Sequence, residues 1–165
     1  MADPNAALKT PTDLNRNDTK TVAQALNGIL ADSFALYFKT KNFHWHVSGP
    51  HFRDYHLMLD DQAAQILATT DVIAERVRKT GNTTLRSVGD ISRHQTIKDN
   101  DADFVSAADM LAELREDNLK LVALLREAKE IVDQAKDNAT SGILDEWTDQ
   151  AEERAWFLFE SSRKG

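Results

Sequence analysis

The stretch that decides the fold is SAADMLAELREDNLKLVALLREAKEIVDQA, residues 106–135. Its seam positions recur at alternating steps of three and four residues over more than three heptads, which is the spacing of packed helices. The seam consists of Leu111, Leu114, Asn118, Leu121, Leu125, Ala128, Val132 and Ala135. Ser106 followed by Asp109 resembles a capping box that opens the helix. The stretch therefore predicts one long helix of a bundle, with a polar interruption at Asn118.

Three other stretches show the same helical periodicity, and short polar segments separate them. A first helix is expected behind a cap at Thr19 or Thr21, and it ends near residue 46, before Ser48-Gly49-Pro50. A second is expected over residues 52–81. The Thr140-Ser141-Gly142 segment is expected to end the third helix, and a fourth follows over residues 143–162.

The three connections between these helices are short, long and short. The long one, residues 82–103, is polar and is expected to carry one short helix around residues 87–92. Short connections join antiparallel neighbours, whereas a long crossover lets the second and third helices lie parallel, as in ferritin-like bundles. An extended coiled coil is the alternative, but wide seams rich in aromatic residues favour the bundle. The sequence predicts an all-α, ferritin-like four-helix bundle.

The composition limits the class of protein. The chain has 165 residues, no cysteine and a formal charge of 20 − 27 = −7, so the core must be stable without disulfides. No apolar run approaches the roughly 18 residues that span a bilayer, and the first ten residues lack the features of a secretory signal, so a cytoplasmic location is expected. The negative charge argues against a protein whose main body binds the phosphates of DNA. Residues 1–19 are expected to form a flexible tail, and residues 20–165 the bundle domain.

A stripe of potential metal ligands lies on the second helix. At 100° per residue, His56, Asp60, Asp71 and Glu75 fall at about 0°, 40°, 60° and 100°. His44 can join them from the end of the first helix. The two pairs of the stripe have centres about 15 residues apart, or about 22 Å, so one chain cannot close them around one metal. Antiparallel packing of this helix against its copy on a two-fold axis would bring the two pairs together.

Two imidazoles and three carboxylates form a nitrogen and oxygen donor set that suits Fe(II), Mn(II) or Zn(II). Each pair alone is commonly only a solvated helix face or a capping interaction. His46 and His51 are interpreted as exposed or pore-lining histidines, His94 as an ordinary loop histidine, and the three tryptophans by default as bundle core. No histidine has a glutamate three positions before it, which argues against a di-iron site inside a single bundle.

The block NFHWHVSGPHFRDYHLMLD, residues 42–60, followed by Asp71-Val-Ile-Ala-Glu75-Arg76, resembles the Dps family. These mini-ferritins are named as DNA-binding proteins from starved cells. The resemblance extends over about residues 20–163 and includes the closing AWFLFES, residues 155–161. It implies a spherical homo-dodecamer that oxidises Fe(II), preferentially with hydrogen peroxide, at di-iron sites between two-fold related subunits.

The resemblance also implies roles for the stripe residues. His44 of one subunit would bind the tighter iron with two carboxylates of its partner, Asp71 and Glu75. His56 and Asp60 would hold the second iron or a bridging water, and Zn or Mn could substitute for iron. A further aromatic residue, Trp45, would sit against the site. The oxidised iron would be stored as ferric mineral in the cage, protecting the cell against oxidative stress.

Other functions are compatible with the same fold. A manganese-loaded, catalase-like protein would consume peroxide without storing iron. A nucleoid-compacting DNA binder is the alternative from another class, but residues 1–19 hold two basic and three acidic side chains, a balance of 2 − 3 = −1. DNA binding is therefore not expected, although a nucleoid-associated location stays open.

An acidic cluster near the junction of the third and fourth helices is a candidate lining for an iron pore. It comprises Asp133, Asp137, Asp145 and Glu146. A solvated cluster at the ends of two helices is an equally good interpretation of these residues.

Overall fold

The computed structural model describes residues 3–164 and contains five α-helices, with no strand in that range. The helices are α1 (Arg16–His46), α2 (Phe52–Lys79), α3 (Val88–His94), α4 (Ala107–Gln134) and α5 (Asn138–Ser162). The predicted all-α bundle is confirmed: α1, α2, α4 and α5 are its four long helices, and α3 is the expected short helix of the crossover. The predicted tail, residues 1–19, includes Met1 and Ala2, which lie outside the described residues.

Two helical hairpins form the bundle. In each one, two consecutive long helices pack along their lengths, α1 with α2 and α4 with α5, and the hairpins meet mainly through α1 and α4. The seam predicted on α4 is the buried face of that helix, including Asn118, which is 1% exposed. Asn118 satisfies its side-chain amide by donating to the carbonyl of Leu114 at 2.8 Å. The polar interruption is therefore compatible with a buried position.

The helix caps explain where the predicted boundaries differ. Asn15 caps α1, and its side chain accepts from the amides of Asn17 and Asp18, so α1 begins earlier than a Thr19 or Thr21 cap would allow. Ser106 caps α4 as predicted and accepts from the amide of Asp109.

The junction between α4 and α5 also differs from the sequence prediction. The predicted break at Thr140-Ser141-Gly142 is wrong, because these residues lie inside α5. The chain instead turns at Lys136, whose φ of 57° lies in the left-handed region, and Asp137 caps the new helix.

The crossover is fixed to the bundle by a buried carboxylate. Asp32 of α1 is 1% exposed and accepts from the amides of Thr96 and Ile97 and from the Thr96 hydroxyl. Ile97 is itself buried among the core side chains. These contacts hold the segment after α3 against α1, so the long connection follows a defined path across the bundle. In residues 3–164, no helix is long and apolar enough to cross a membrane.

Candidate metal centre

The turn between α1 and α2 places two histidines side by side. The last turn of α1 ends at His46, the buried Val47 follows, and Gly49 adopts a φ of 117° that favours glycine. The chain then reverses into α2 at Phe52. Because the two helices are antiparallel, His44 near the end of α1 lies against His56 in the second turn of α2. Their rings stack with centroids 3.8 Å apart.

The two histidines hold each other in one tautomer. The Nδ1–H of His44 donates to the carbonyl of His56 at 2.6 Å, and the Nδ1–H of His56 donates to the carbonyl of His44 at 2.8 Å. A carbonyl can only accept, so each Nδ1 carries a proton, which leaves Nε2 as the nitrogen of each ring that can bind a metal. A backbone carbonyl behind a histidine is the usual arrangement that orients a metal-binding imidazole. Both rings are therefore prepared to bind a metal through Nε2.

Asp60 lies one turn farther along α2 and extends this group. Its Oδ1 is 3.9 Å from Nε2 of His44 and 2.7 Å from Nζ of Lys41. The hydrogen bond from Lys41 lowers the pKa of Asp60 from its ordinary value, against the opposing effect of desolvation. The Asp60 carboxylate is thus available in its ionised form. Lys41 was not predicted from the sequence, although it lies one helical turn before His44.

The other predicted ligands lie farther along α2. Asp71 and Glu75 are both exposed on that helix, and Glu75 is 3.9 Å from Lys79. Asp71 lines a groove between α1, α2 and the crossover, where Leu85 and Ile91 form the opposite wall. Within residues 3–164, no three His, Asp, Glu or Cys side chains come together as a metal site. Within one chain, the predicted ligands therefore lie in two separate groups along α2.

Comparison with known proteins identifies the family. The ferritin-like domain family matches residues 23–162 of the chain. The DNA protection during starvation protein of Agrobacterium fabrum is 33% identical over 91% of the chain and 93% of its own length. The corresponding protein of Brevibacillus brevis is 32% identical over 83% of the chain and 91% of its own length. The chain belongs to the Dps family.

Solved Dps structures have the same fold. The crystal structure of a Dps protein from Bacillus brevis superimposes with a TM-score of 0.86 at 29% identity, covering 91% of this chain and all of that one. DpsC from Streptomyces coelicolor superimposes with a TM-score of 0.91 at 25% identity, covering 95% of this chain and 92% of that one. This chain thus has the fold of the solved Dps structures.

The tryptophans of this Dps chain are not all in the core. Trp147 is buried at 8% exposure, but Trp45 and Trp156 are 54% and 59% exposed, so their default assignment to the core is wrong. Trp45 packs edge-on against Phe38, with centroids 6.0 Å apart, and Lys41 lies over its ring. Phe52 also stacks on His56, which already stacks on His44, and the centroids of Phe52 and His56 are 5.0 Å apart. Trp45 lies on the outside of the single chain, one residue from His44.

The remaining histidines have local partners. His46 and His94 each use Nδ1 within their own helix, at the carbonyls of Asn42 and Asp90. His51 stands just before α2 with its ring tilted against Tyr55. All three are exposed, in agreement with their interpretation as non-ligands.

The acidic cluster at the α4–α5 junction divides into two kinds of residue. Asp137 is 3% exposed, caps α5 and pairs with Arg76 of α2 at 2.7 Å, which gives it a structural role. Asp133 accepts from the Ser141 hydroxyl at 2.6 Å. Asp145 and Glu146 are exposed on the first turns of α5, and Asp145 pairs with Lys129. Asp133, Asp145 and Glu146 are therefore all exposed, and Asp137 alone of the four is buried.

Proposed function

We propose that this Dps protein is a ferroxidase and iron store that oxidises Fe(II), preferentially with hydrogen peroxide, at di-iron sites between two-fold related subunits. The observation that carries the proposal is the reciprocal pair of Nδ1 hydrogen bonds between His44 and His56, which leaves both Nε2 atoms directed for metal binding. Iron is the substrate. Imidazole and carboxylate donors suit it, and the sequence contains no cysteine whose thiolate would favour a softer metal.

The partner subunit supplies the missing half of each site. Antiparallel packing of α2 on its copy brings His44, His56 and Asp60 of one subunit to Asp71 and Glu75 of the partner subunit. Each two-fold pair then contains two identical sites. We call His44, His56 and Asp60 one half-site, and Asp71 and Glu75 the other. Because the two half-sites are separated along the helix, neither can bind two irons without the other.

The surface of α2 supports this arrangement. Leu67 is 41% exposed, lies at about 20° on the ligand stripe, and stands near the midpoint between the two half-sites. An antiparallel helix pair crosses at that midpoint. An apolar side chain at that position can pack against its copy in the partner subunit without burying a charge.

The chemistry follows from the donor set. Anionic carboxylates stabilise Fe(III) more than Fe(II), so they favour the loss of an electron from each bound Fe(II). Two neighbouring Fe(II) ions together supply the two electrons that, with two protons, reduce one hydrogen peroxide to two water molecules. Both electrons leave in one event, so release of hydroxyl radical is largely avoided. Zn(II) or Mn(II) would fit the same donors without completing this reaction.

The product is stored in the cavity of a homo-dodecamer in the cytoplasm, and its removal from solution protects the cell against oxidative stress. The acidic charge of −7 per chain attracts and concentrates iron cations. Asp133, Asp145 and Glu146 are the residues we propose for a pore through which iron enters, because all three are exposed near the α4–α5 junction. Asp137 is left out of the pore, since it is buried against Arg76.

The choice of oxidant tests the proposal. Fe(II) is titrated anaerobically into the assembled protein, and hydrogen peroxide or oxygen is then added while ferric absorbance is recorded. We expect fast oxidation with about two Fe(II) consumed per peroxide, slower oxidation with oxygen, and retention of ferric iron in the protein fraction. A catalase-like protein would instead release oxygen from peroxide and retain no ferric iron.

Assembly is a second prediction. Light scattering should show a stable oligomer that contains two-fold axes, with a mass near twelve times 18.5 kDa. Leu67→Glu should dissociate the two-fold pair and abolish fast oxidation, because it places a charge at the centre of the contact. Leu67→Met, which keeps the side chain apolar, is the control. A wild-type monomer at micromolar concentration would contradict the intersubunit site.

The family name raises the question of DNA binding, and we propose that this member does not bind DNA. A dodecamer would carry twelve times −7, or −84, and the basic Lys9 near the N-terminus is already paired with Asp3 at 2.7 Å. Too few phosphates can be neutralised to release many counterions. A gel-shift assay at about 150 mM salt, without divalent cations, should show no retardation of plasmid DNA. A retarded band would mean that local basic residues outweigh the total charge.

A further inference from the structure

A small cavity lies at the centre of the bundle, away from the proposed iron site. All four long helices line it, and the space open to the centre of a water molecule is about 10 Å³. Most of its wall is apolar, formed by residues such as Ile29, Ile66 and Leu125. Four polar side chains also line it, Ser33, Thr69, Gln150 and Arg154, and the hydroxyl of Thr69 already donates to the carbonyl of Ile66.

Gln150 presents an unsatisfied acceptor in the protein interior. Its Oε1 is the one buried side-chain oxygen or nitrogen of residues 3–164 that has no hydrogen-bond partner. The orientation of the amide is fixed at the other end, where Nε2 donates to the carboxylate of Glu146 at 3.2 Å. Turning the amide over would set its oxygen against that carboxylate. The buried end of Gln150 therefore requires a donor.

Arg154 is a buried cation held by neutral groups. It is 4% exposed, and burial lowers its pKa to about 10. Its Nε donates to Oδ1 of Asn118 and one terminal nitrogen donates to Oε1 of Gln65, each at 2.7 Å. None of the ion pairs within residues 3–164 includes it. A guanidinium has five N–H groups, so Arg154 has donors to spare.

We propose that this cavity is a binding site for one water molecule, which donates to Oε1 of Gln150 and accepts from the guanidinium of Arg154. The ligand must donate to one group and accept from the other, which water does and a halide or another simple anion does not. The volume matches a single water, and the Ser33 hydroxyl offers a third polar partner. The charge of Arg154 disfavours a metal cation there.

The bound water completes a polar network that ties the two hairpins together. Arg154 on α5 reaches α4 through Asn118 and α2 through Gln65, and Gln62 of α2 donates to the backbone carbonyl of Arg154. These bonds add to the links between α2 and α5 that Arg76 makes with Asp137 and Thr140 near one end of the bundle. The network also keeps a positive charge at the bundle centre, the region where other ferritin-like proteins hold two metals.

A crystal structure of the assembled protein at about 1.5 Å resolution, with one crystal soaked in sodium bromide, tests the proposal. We expect a single density peak within about 2.6–3.2 Å of Oε1 of Gln150 and of a nitrogen of Arg154, without anomalous bromide signal. An empty cavity would overturn the proposal. So would a bromide peak in the cavity, or a Gln150 side chain turned towards a protein donor.

Variants of two buried amides sharpen the test. Gln150→Leu removes the acceptor, so the peak should disappear, and the melting temperature should not fall because no unsatisfied oxygen remains. Gln62→Leu removes an amide outside the cavity and should leave the peak in place. A peak that persists unchanged in Gln150→Leu would show that Gln150 is not a partner of the water.

Discussion

Replacing His44 by alanine, or Asp71 by asparagine, should slow peroxide-driven oxidation of Fe(II) by about 100-fold or more while the oligomer persists. Changes to groups that merely orient a metal ligand already cost about 10- to 100-fold, and these changes remove a proposed ligand itself. Asp71 is exposed in the single chain, and the His44 ring stacks on His56 and bonds its carbonyl. Neither change removes a large apolar side chain from the core. Stopped-flow absorbance measures the rate.

The control for this prediction is His94→Ala. His94 is exposed on α3 and its ring bonds only the carbonyl of Asp90 within that short helix. Its replacement should leave the oxidation rate within about twofold of the wild type, since exposed side chains outside a site rarely matter. An equal loss in all three variants would indicate a general defect of the protein. No loss in His44→Ala or Asp71→Asn would show that the ligand assignment is wrong.

Asp137→Ala should lower the free energy of unfolding by about 3–5 kcal/mol, the largest effect on stability that we expect from a single acidic residue. The substitution leaves the guanidinium of Arg76 without its partner. The side chain of Arg76 is only 17% exposed and that of Asp137 only 2% exposed. It also removes the cap of α5, in which Asp137 accepts from the amide of Thr140. Urea unfolding at a fixed protein concentration measures the loss, because assembly contributes to stability.

Two further variants separate the causes of this loss. Asp137→Asn keeps an oxygen for the cap but removes the charge, so it should lose less than Asp137→Ala. Asp145→Ala breaks an ion pair with Lys129 whose carboxylate is 64% exposed, and it should cost less than about 1 kcal/mol. If Asp137→Ala were as mild as Asp145→Ala, Asp137 would not have the structural role that its burial indicates.

The sequence was sufficient to predict the arrangement of the bundle, because a long amphipathic helix must bury its apolar face. The seam of α4 and the long crossover together determined which helices pair. The α4–α5 junction was mispredicted because Thr140, Ser141 and Gly142 resemble a helix break, whereas Asp137 supplies a cap that lets α5 begin before them. A cap depends on which side chain meets which amide, and spacing alone does not determine that.

The candidate site was predicted in outline but not in its details. The angular stripe on α2 and the separation of its two halves follow from helix geometry, so the need for a partner could be stated from the sequence. The shared tautomer of His44 and His56 could not, because it depends on two backbone carbonyls brought together by the turn at Gly49. The sequence does not predict the contact of Lys41 with Asp60 for the same reason, because the two residues lie on different helices.

Complementation between subunits tests the central claim, a site shared across the two-fold axis. His44→Ala and Asp71→Asn chains are coexpressed with different affinity tags, and oligomers that carry both tags are isolated. In a mixed two-fold pair, one site loses both ligands and the other regains both, so random mixing should restore about a quarter of the wild-type sites. We predict fast peroxide-driven oxidation at about a quarter of the wild-type amplitude, although each variant alone is inactive. Mixed oligomers as inactive as the separate variants would contradict the shared site.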